Sequence, residues 1–575
     1  MIKVENLSYG FPAKDLYKDI SFTLEADTHA AVIGSNGTGK STLANIIMNP
    51  DDYLYDGKVI KDENCRVGYA SQFSTRDKLS DRTVFDFLSQ RFMENQEKIA
   101  AVCEEMATAE DMDEVFGRYQ ALLDLNEAMD GDNYESNIRK QLYIVGMTEL
   151  EETKLSDISG GEYKILQIMR EMLLTPNVLI LDEPDVFLDF ANLNSLCKLI
   201  NEYKGTMMVI THNRYLLNHC FNKILHIENC DLQEYDGCYS EYRCAQLNEK
   251  LEIKIKSIED EEEIQRTEEM VEILRDRATL MVNPTIGRSV NAKQTQLDRL
   301  LARQIKAPFI EVREPQIVLP DVETGEERPV LTISDYKVSY DKNLLEDVNF
   351  ELMAGEKVAI VGANGTGKTT LVRDILNGCN PSIKIDENVK VACLSQLQGE
   401  TMEFDRTVYQ VMQDADFGGE TAIKAHLAKY CLEWVDINQK VGELSVGEQN
   451  LLQLAMVSKS DADMLVLDEP SSHLDIYAQM ALEKAISEYK GTVLLVSHDF
   501  YLIANCADYV LFIEDNTIRR MRARTFRKMV YDKYFDSSYL ELDRKKQELE
   551  TDIAIAFKKN RLETVRKLLN QLMAL

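Results

Sequence analysis

Two short stretches of this chain carry the same unusual set of residues: Gly34-Ser35-Asn36-Gly37-Thr38-Gly39-Lys40-Ser41-Thr42 and Gly362-Ala363-Asn364-Gly365-Thr366-Gly367-Lys368-Thr369-Thr370. Glycines at this spacing let successive backbone N–H groups curl around phosphate oxygens, and a helix opening just after them adds positive potential. The lysine that closes each loop, Lys40 or Lys368, can reach the β- and γ-phosphates of a nucleotide. The hydroxyl that follows, Ser41 or Thr369, can ligate Mg²⁺. Downstream of each loop stands a pair of acids, Asp182-Glu183 and Asp468-Glu469. There the Asp can hold the Mg²⁺ shell while the adjacent Glu polarises an attacking water. Together these residues can hydrolyse a nucleoside triphosphate.

The spacing repeats as well as the residues. Ser159-Gly160-Gly161-Glu162 and Ser445-Val446-Gly447-Glu448 each precede an acidic pair, with 23 residues from Ser159 to Asp182 and again from Ser445 to Asp468. A further 30 residues lead from each Asp to His212 and His498. Motifs held in register over this length leave chance far behind and point to an internal duplication. The elements that must position them follow from the apolar runs. Residues 30–33 and 358–361 lead directly into the glycine loops, and residues 178–183 and 465–469 end on the acids. Runs this short and this apolar suit buried parallel strands.

At 575 residues the chain has room for two to four domains. Its 45% hydrophobic and 28% charged residues are globular composition and exclude a wholly disordered or collagen-like chain. Acidic residues outnumber basic ones, 98 to 65, for a net charge of −33. So acidic a balance argues against general coating of nucleic acid and leaves only local contact patches. No apolar stretch approaches the roughly 20 residues needed to span a bilayer, and no secretory signal is visible. The 11 cysteines form no CxxC pair, and Cys220, Cys230, Cys238 and Cys244 have the wrong spacing for a metal site. A cytoplasmic protein with reduced thiols is expected.

On these motifs the chain resembles the F subfamily of the ATP-binding cassette (ABC) family, whose members carry two cassettes on one chain with a helical linker between them. The resemblance covers nearly the whole chain. It implies an α/β fold of two tandem ABC-type P-loop ATPase domains, at 1–238 and 331–530, joined by an α-helical hairpin at 239–310. A helical C-terminal extension at 531–575 and a helical insertion at about 91–131 complete the expected organisation. ATP and Mg²⁺ are the implied cofactors. Gln72 and Gln396 look like the Q-loop glutamines at the Mg²⁺ site, and His212 and His498 like the histidines that contact the γ-phosphate. Tyr340, with Phe11 in the first copy (Tyr9 as the fallback), looks like the aromatic that stacks on adenine. Ser159 and Ser445 match the signature serines, which in this family reach the nucleotide held by the other cassette. The Lys40 loop with Asp182 and Glu183 would then pair with the signature around Ser445, and the Lys368 loop with Asp468 and Glu469 with that around Ser159. A monomer closing on itself would complete both sites.

Two departures bear on the sites. Val446 replaces the usual signature Gly and should weaken the first site if the backbone there needs a glycine conformation or a close approach to phosphate. Glu469-Pro470-Ser471-Ser472-His473-Leu474-Asp475 fits the family pattern, whereas Glu183-Pro184-Asp185-Val186-Phe187-Leu188-Asp189 has lost the polar and His positions. Both sites keep their Glu, so both are expected to hydrolyse ATP, unequally.

Outside the cassettes, residues 246–276 carry 11 acids and 5 bases, whereas 288–306 carry 5 bases and one acid, with a turn expected near Asn283-Pro284. This reads as an antiparallel helical pair whose turn exposes Leu280, Met281 and Val282. Exposed apolar tips mark contact sites. By resemblance this hairpin enters the ribosome near P-site tRNA and the peptidyl-transferase centre, and the closed, ATP-bound protein occupies the E site until hydrolysis releases it. The insertion is either an arm that touches the ribosome near the E site or an enlarged helical subdomain. Arg519, Arg520, Arg522, Arg524, Arg527 and Lys528 could contact rRNA or form a solvated face. Antibiotic resistance by ribosome protection is the alternative within this fold. The energising subunit of a transporter is the rival outside it, disfavoured by the length and charge of the linker.

Overall fold

The computed structural model describes residues 1–11, 14–62, 65–71, 81–106, 111–280, 284–303, 314–322, 328–339, 343–394, 403–432, 435–534 and 537–575. The chain divides into two units, Met1–Cys238 with Val312–Ser537, and Tyr239–Glu311 with Ser538–Leu575.

The first unit contains the duplication as two α/β bodies of one topology. In the first, a six-stranded sheet runs in the order Val67–Ala70, Val178–Asp182, Thr206–Ile210, His29–Ile33, Lys223–Glu228, Asp231–Asp236. The first five strands are parallel and the last antiparallel. The second repeats this with Val391–Leu394, Met464–Asp468, Thr492–Val496, Lys357–Gly362, Tyr509–Glu514 and Thr517–Arg522. Both faces of the inner strands are covered, and every residue of Val178–Asp182, Thr206–Ile210 and their counterparts Met464–Asp468 and Thr492–Val496 is buried. That is why they read as continuous rather than alternating apolar runs. A three-stranded antiparallel sheet flanks each, in the order Lys14–Leu24, Ile2–Phe11, Asp56–Lys61 in the first and Asn343–Met353, Pro329–Ser339, Ile383–Ile385 in the second.

In open parallel sheets, ligands bind beyond the carboxyl ends of the strands. Here the glycine loop follows His29–Ile33, the acids end Val178–Asp182, and His212 follows Thr206–Ile210, so three neighbouring strands deliver all of them to one edge. The helix Lys40–Met48 is pinned beneath its loop by Leu43, Ala44, Ile46 and Ile47, which join Val32, Ile180 and Ile210 in one core. Leu371, Val372 and Ile375 do the same with Ile360, Val466 and Val496. The signature segments open the helices Gly160–Leu173 and Val446–Val457 with a capping box in each, Ser159 with Glu162 and Ser445 with Glu448. The S-x-x-E spacing is thus also a helix-start device.

Ahead of its signature the first body has the helices Val84–Met106, Met112–Ala128 and Tyr134–Val145, with Phe92 stacked on Tyr134 at 5.3 Å. The second has the shorter helices Val408–Asp414 and Glu420–Lys429 in that region.

The second unit is helical. Tyr239–Leu280 is 42 residues long, about 63 Å at 1.5 Å per residue. The helix Pro284–Arg303 runs back along it, through Ile264, Val271 and Leu297 and a 2.9 Å hydrogen bond from Arg275 to Gln294. The tail helices Ser537–Lys558 and Leu562–Met573 pack on the first turns of the long helix, burying Ile553, Val565 and Leu569 against Cys244 and Leu251. The C-terminal extension therefore covers the base of the linker. No described helix is long and apolar enough to cross a membrane.

Candidate active site

The backbone of the first loop needs its glycines. Gly34, Gly37 and Gly39 have φ of 152°, 74° and 95°, a region disfavoured for any residue with a Cβ. A Cβ on Gly34 would also lie 2.2 Å from the Ile227 carbonyl oxygen. In the second loop Gly365 and Gly367 take φ of 80° and 93°. Lys40 is buried, and its Nζ donates to the carbonyls of Gly34 and Ser35, both at 2.9 Å. Lys368 does the same to Gly362 and Ala363, at 2.8 and 2.9 Å. Burial pushes both ammonium groups below the usual lysine value, against the pull of nearby carboxylates.

The acids beside the loops differ between the copies. Burial raises Asp182, opposed by a hydrogen bond from Ser41. It raises Asp468 to about 6, opposed by Lys368, Arg373 and Thr369. Glu183 and Glu469 both sit in the left-handed region, at φ 45° and 50°, a strained conformation of the kind stored at functional sites. Burial pushes Glu183 upward, but a hydrogen bond from His473 and the positive groups around it outweigh burial, and the carboxyl falls below its ordinary value. Burial and the neighbouring Asp468 carry Glu469 up to about 8. His212 and His498 are buried beside their lysines and pushed down to about 3 by desolvation first.

Each site is finished by the other body. The Asn36 N–H donates to Asp475 Oδ2 at 2.9 Å, and Asn36 Nδ2 to the His473 carbonyl at 2.8 Å. In the mirror arrangement Asn364 N–H reaches Asp189 Oδ2 at 3.3 Å and Asn364 Nδ2 reaches the Phe187 carbonyl at 2.9 Å. Asp475 and Asp189 also cap the helices Ile476–Glu488 and Phe190–Glu202 with their other oxygen. A Cβ on Gly447 would stand 2.3 Å from Asn36 Nδ2, and one on Gly161 would stand 3.2 Å from Asn364 Nδ2. The Ser445 segment therefore faces the Lys40 loop and the Ser159 segment the Lys368 loop. The conformational condition attached to Val446 is not met: Val446 has no positive φ, and a Cβ on its counterpart Gly160 meets no protein atom within 4 Å. A cavity of about 90 Å³ lies between the two sites, lined among others by Glu183, His212, Arg214, Glu469, His473 and His498.

Gln72, Gln396, Tyr340 and residues 281–283 of the linker turn lie outside the described residues. Phe11 ends the strand Ile2–Phe11, half exposed and edge-on to Tyr9 at 5.7 Å. Sequence reasoning missed Lys14, whose Nζ donates to the Gly37 carbonyl at 2.9 Å, and Tyr17, whose hydroxyl donates to Gly39 O. It also missed the cross-body roles of Asp189, His473 and Asp475; the matched segments after each Glu were the available signal. Arg214 carried no signal at all. It forms a buried ion pair with Glu483 of the other body.

The residues present fit Mg²⁺ and a triphosphate. Buried polar atoms at the loops, Asp182 Oδ1, Asp468 Oδ1, Glu469 Oε1, both ring nitrogens of His212 and His498 Nδ1, have no hydrogen-bond partner among the described residues. Buried polar atoms are normally paired, so a polar ligand would satisfy them. No described group of three or more His, Cys, Asp or Glu gathers as a metal site in its own right. Among the described residues, one hydroxyl and one Asp at each loop would hold Mg²⁺, together with phosphate and water.

Comparison with known proteins adds to this. The family model described as ABC transporter matches residues 17–186 and 345–472. The energy-dependent translational throttle protein EttA of Escherichia coli is 28% identical over 523 residues, covering 88% of this chain and 90% of EttA. ABC transporter F family member 5 of Arabidopsis thaliana is 28% identical over 582 residues, 99% of this chain and 81% of that protein. Among solved structures, ABCE1 in a model of ribosome-bound archaeal Pelota and ABCE1 shares the fold with a TM-score of 0.55 at 17% identity, covering 92% of this chain and 80% of that one.

Proposed function

Since the chain belongs to the ATP-binding cassette family, as an ATPase of its F type, we propose that it is a cytoplasmic translation factor that binds the ribosome while ATP holds its two cassettes together. The observation that carries this reading is the similarity to a translational throttle protein along 88% of the chain. The 42-residue linker helix, a feature that energising a transporter does not call for, supports it. In the finer form of the proposal, the closed protein sits in the ribosomal E site. Its helical hairpin acts on P-site tRNA and the peptidyl-transferase centre, and hydrolysis releases it.

The residues divide the work as follows. Lys40 and Lys368 leave the loop carbonyls for phosphate oxygens, and the loop N–H groups cradle the rest. Ser41 with Asp182, and Thr369 with Asp468, hold Mg²⁺, which when bound neutralises charge on the phosphates. Glu183 and Glu469, when ionised, accept a proton from water, and the neutral rings of His212 and His498 offer hydrogen bonds to the γ-phosphate. Asn36 and Asn364 tie each loop to the opposite cassette. Closure is intramolecular, so effective concentration favours it and a monomer suffices. ATP stabilises the closed form only by binding it better than the open one, and hydrolysis removes that preference.

The test is sedimentation of the Glu183→Gln/Glu469→Gln variant with purified ribosomes, in ATP and in ADP. Retention on ribosomes in ATP alone is expected. A variant that binds ATP yet never co-sediments would overturn the proposal.

A further inference from the structure

We propose that His473, supplied by the second cassette, is a positioning residue for hydrolysis in the first site, and that the second site has no equivalent. The inference rests on reading Glu183 and Glu469 as the water-polarising carboxylates. His473 Nδ1 lies 3.3 Å from Glu183 Oε2, with the two side chains only 7% and 13% exposed. With its proton on Nδ1 the ring donates to the carboxylate and fixes its orientation. The ring is itself fixed. Its backbone takes φ 59°, its carbonyl accepts from Asn36 Nδ2, and Asp475, two residues on, accepts from the Asn36 N–H. The phosphate loop that would hold the nucleotide therefore also holds the segment that delivers the histidine. Glu183 gains this partner only when the second cassette is docked, which makes turnover in the first site contingent on closure.

The mirror position is Phe187, four residues after Glu183 as His473 is four after Glu469. Its backbone repeats the arrangement, at φ 63° and with its carbonyl accepting from Asn364 Nδ2. Its phenyl ring cannot donate to Glu469. Glu469 Oε2 takes the backbone N–H of His498 at 3.3 Å, within its own cassette; the His498 ring Nε2 stands 3.7 Å from Oε1, beyond hydrogen-bond reach, and Oε1 has no hydrogen-bond partner among the described residues. Phe187 instead meets His473 edge-on, ring centroids 5.3 Å apart, and so helps to aim the ring at Glu183. A duplicated backbone frame thus delivers a donor to one site and an apolar wedge to the other. Misplacing a reacting group by about 1 Å can cost a hundredfold in rate, so the consequence is kinetic.

The test measures ATP turnover with one site silenced at a time. In the Glu469→Gln background only the first site turns over. There His473→Phe is expected to lower kcat at least tenfold with KM for ATP changed less than twofold. His473→Asn, which keeps a donor near the Nδ1 position, should recover to within a few-fold. In the Glu183→Gln background the loss from His473→Phe should be at least tenfold smaller. Phe187→His in that background should raise second-site turnover. Equal losses in the two backgrounds, or His473→Asn as poor as His473→Phe, would reduce His473 to a docking contact and overturn the proposal. If adding Glu183→Gln to the Glu469→Gln variant leaves turnover unchanged, the reading of Glu183 fails instead, which is a separate outcome.

Discussion

The two nucleotide sites have the same loop, the same strand-end acids and the same buried histidine, and they differ where the other cassette touches them. At the first site Glu183 is met by His473 and held below its ordinary value; at the second, Glu469 is buried beside Asp468 and pushed to about 8. The interface next to them diverges in the same sense. Arg214, two residues after His212, pairs with Glu483, lies over the Tyr501 ring at 4.2 Å and shares Glu483 with Asn505. Phe500, two residues after His498, lies among Phe190, Tyr501 and Tyr531. What binds phosphate has been kept twice. What couples the cassettes has become polar on one side and apolar on the other.

The largest expected effect separates the two glutamates. Glu183→Gln should remove most ATP turnover, and Glu469→Gln should spare most of it. General-base contributions run to about 10²–10⁴-fold, so steady-state turnover of the two single variants should differ by about a hundredfold. Similar residual rates would erase the comparison at its strongest point.

The interface gives the next effect. Arg214→Met leaves Glu483 buried without its cation, and breaking a buried pair in this way costs about 3–5 kcal/mol. Arg214→Met/Glu483→Leu should recover most of the loss, because a well-packed apolar pair replaces the buried charges. At the mirror position Phe500→Leu should cost less than about 1.5 kcal/mol. Urea denaturation midpoints check all three. A loss at Arg214 that the second substitution does not recover would point to packing rather than charge.

The contrast also explains what was legible in the sequence. Glycines that need a left-handed φ, acids that must end a strand and an S-x-x-E helix start are local requirements, and local requirements leave a spacing. The duplication doubled that signal. Arg214 and Glu483 lie 269 residues apart and answer to no local rule; only docking of the two cassettes brings them together. The same holds for Asp189 and Asp475, which cap helices with one oxygen and spend the other across the interface. The tail was readable as helical, but a helical pattern names no partner. Val446 departs from the pattern at a position whose backbone has no glycine-only φ.

That position supplies a smaller test. In the Glu469→Gln background, Val446→Gly should change first-site turnover less than twofold, since the counterpart Gly160 has open space around it and an ordinary φ. A large gain on restoring glycine would mean that Val446, not the difference between His473 and Phe187, sets the inequality.

The smallest expected difference lies at the histidines, where the comparison should vanish. Burial lowers His212 and His498 alike to about 3 from an ordinary 6.5. In the unfolded chain each takes up a proton as the pH falls through 6.5, whereas in the folded chain neither does until about 3. Between those values the unfolded state binds more protons, so stability falls as pH falls, by up to about 1.4 kcal/mol per pH unit for each ring. Glutamine, which does not titrate, removes the effect. His212→Gln and His498→Gln should therefore flatten the acid side of the stability curve by the same amount, measured by urea denaturation of nucleotide-free protein from pH 7 to pH 5. Equal slopes would confine the divergence to what crosses the interface. Unequal slopes would carry it into the pockets themselves, and the difference between Glu183 and Glu469 would then need an origin inside each cassette.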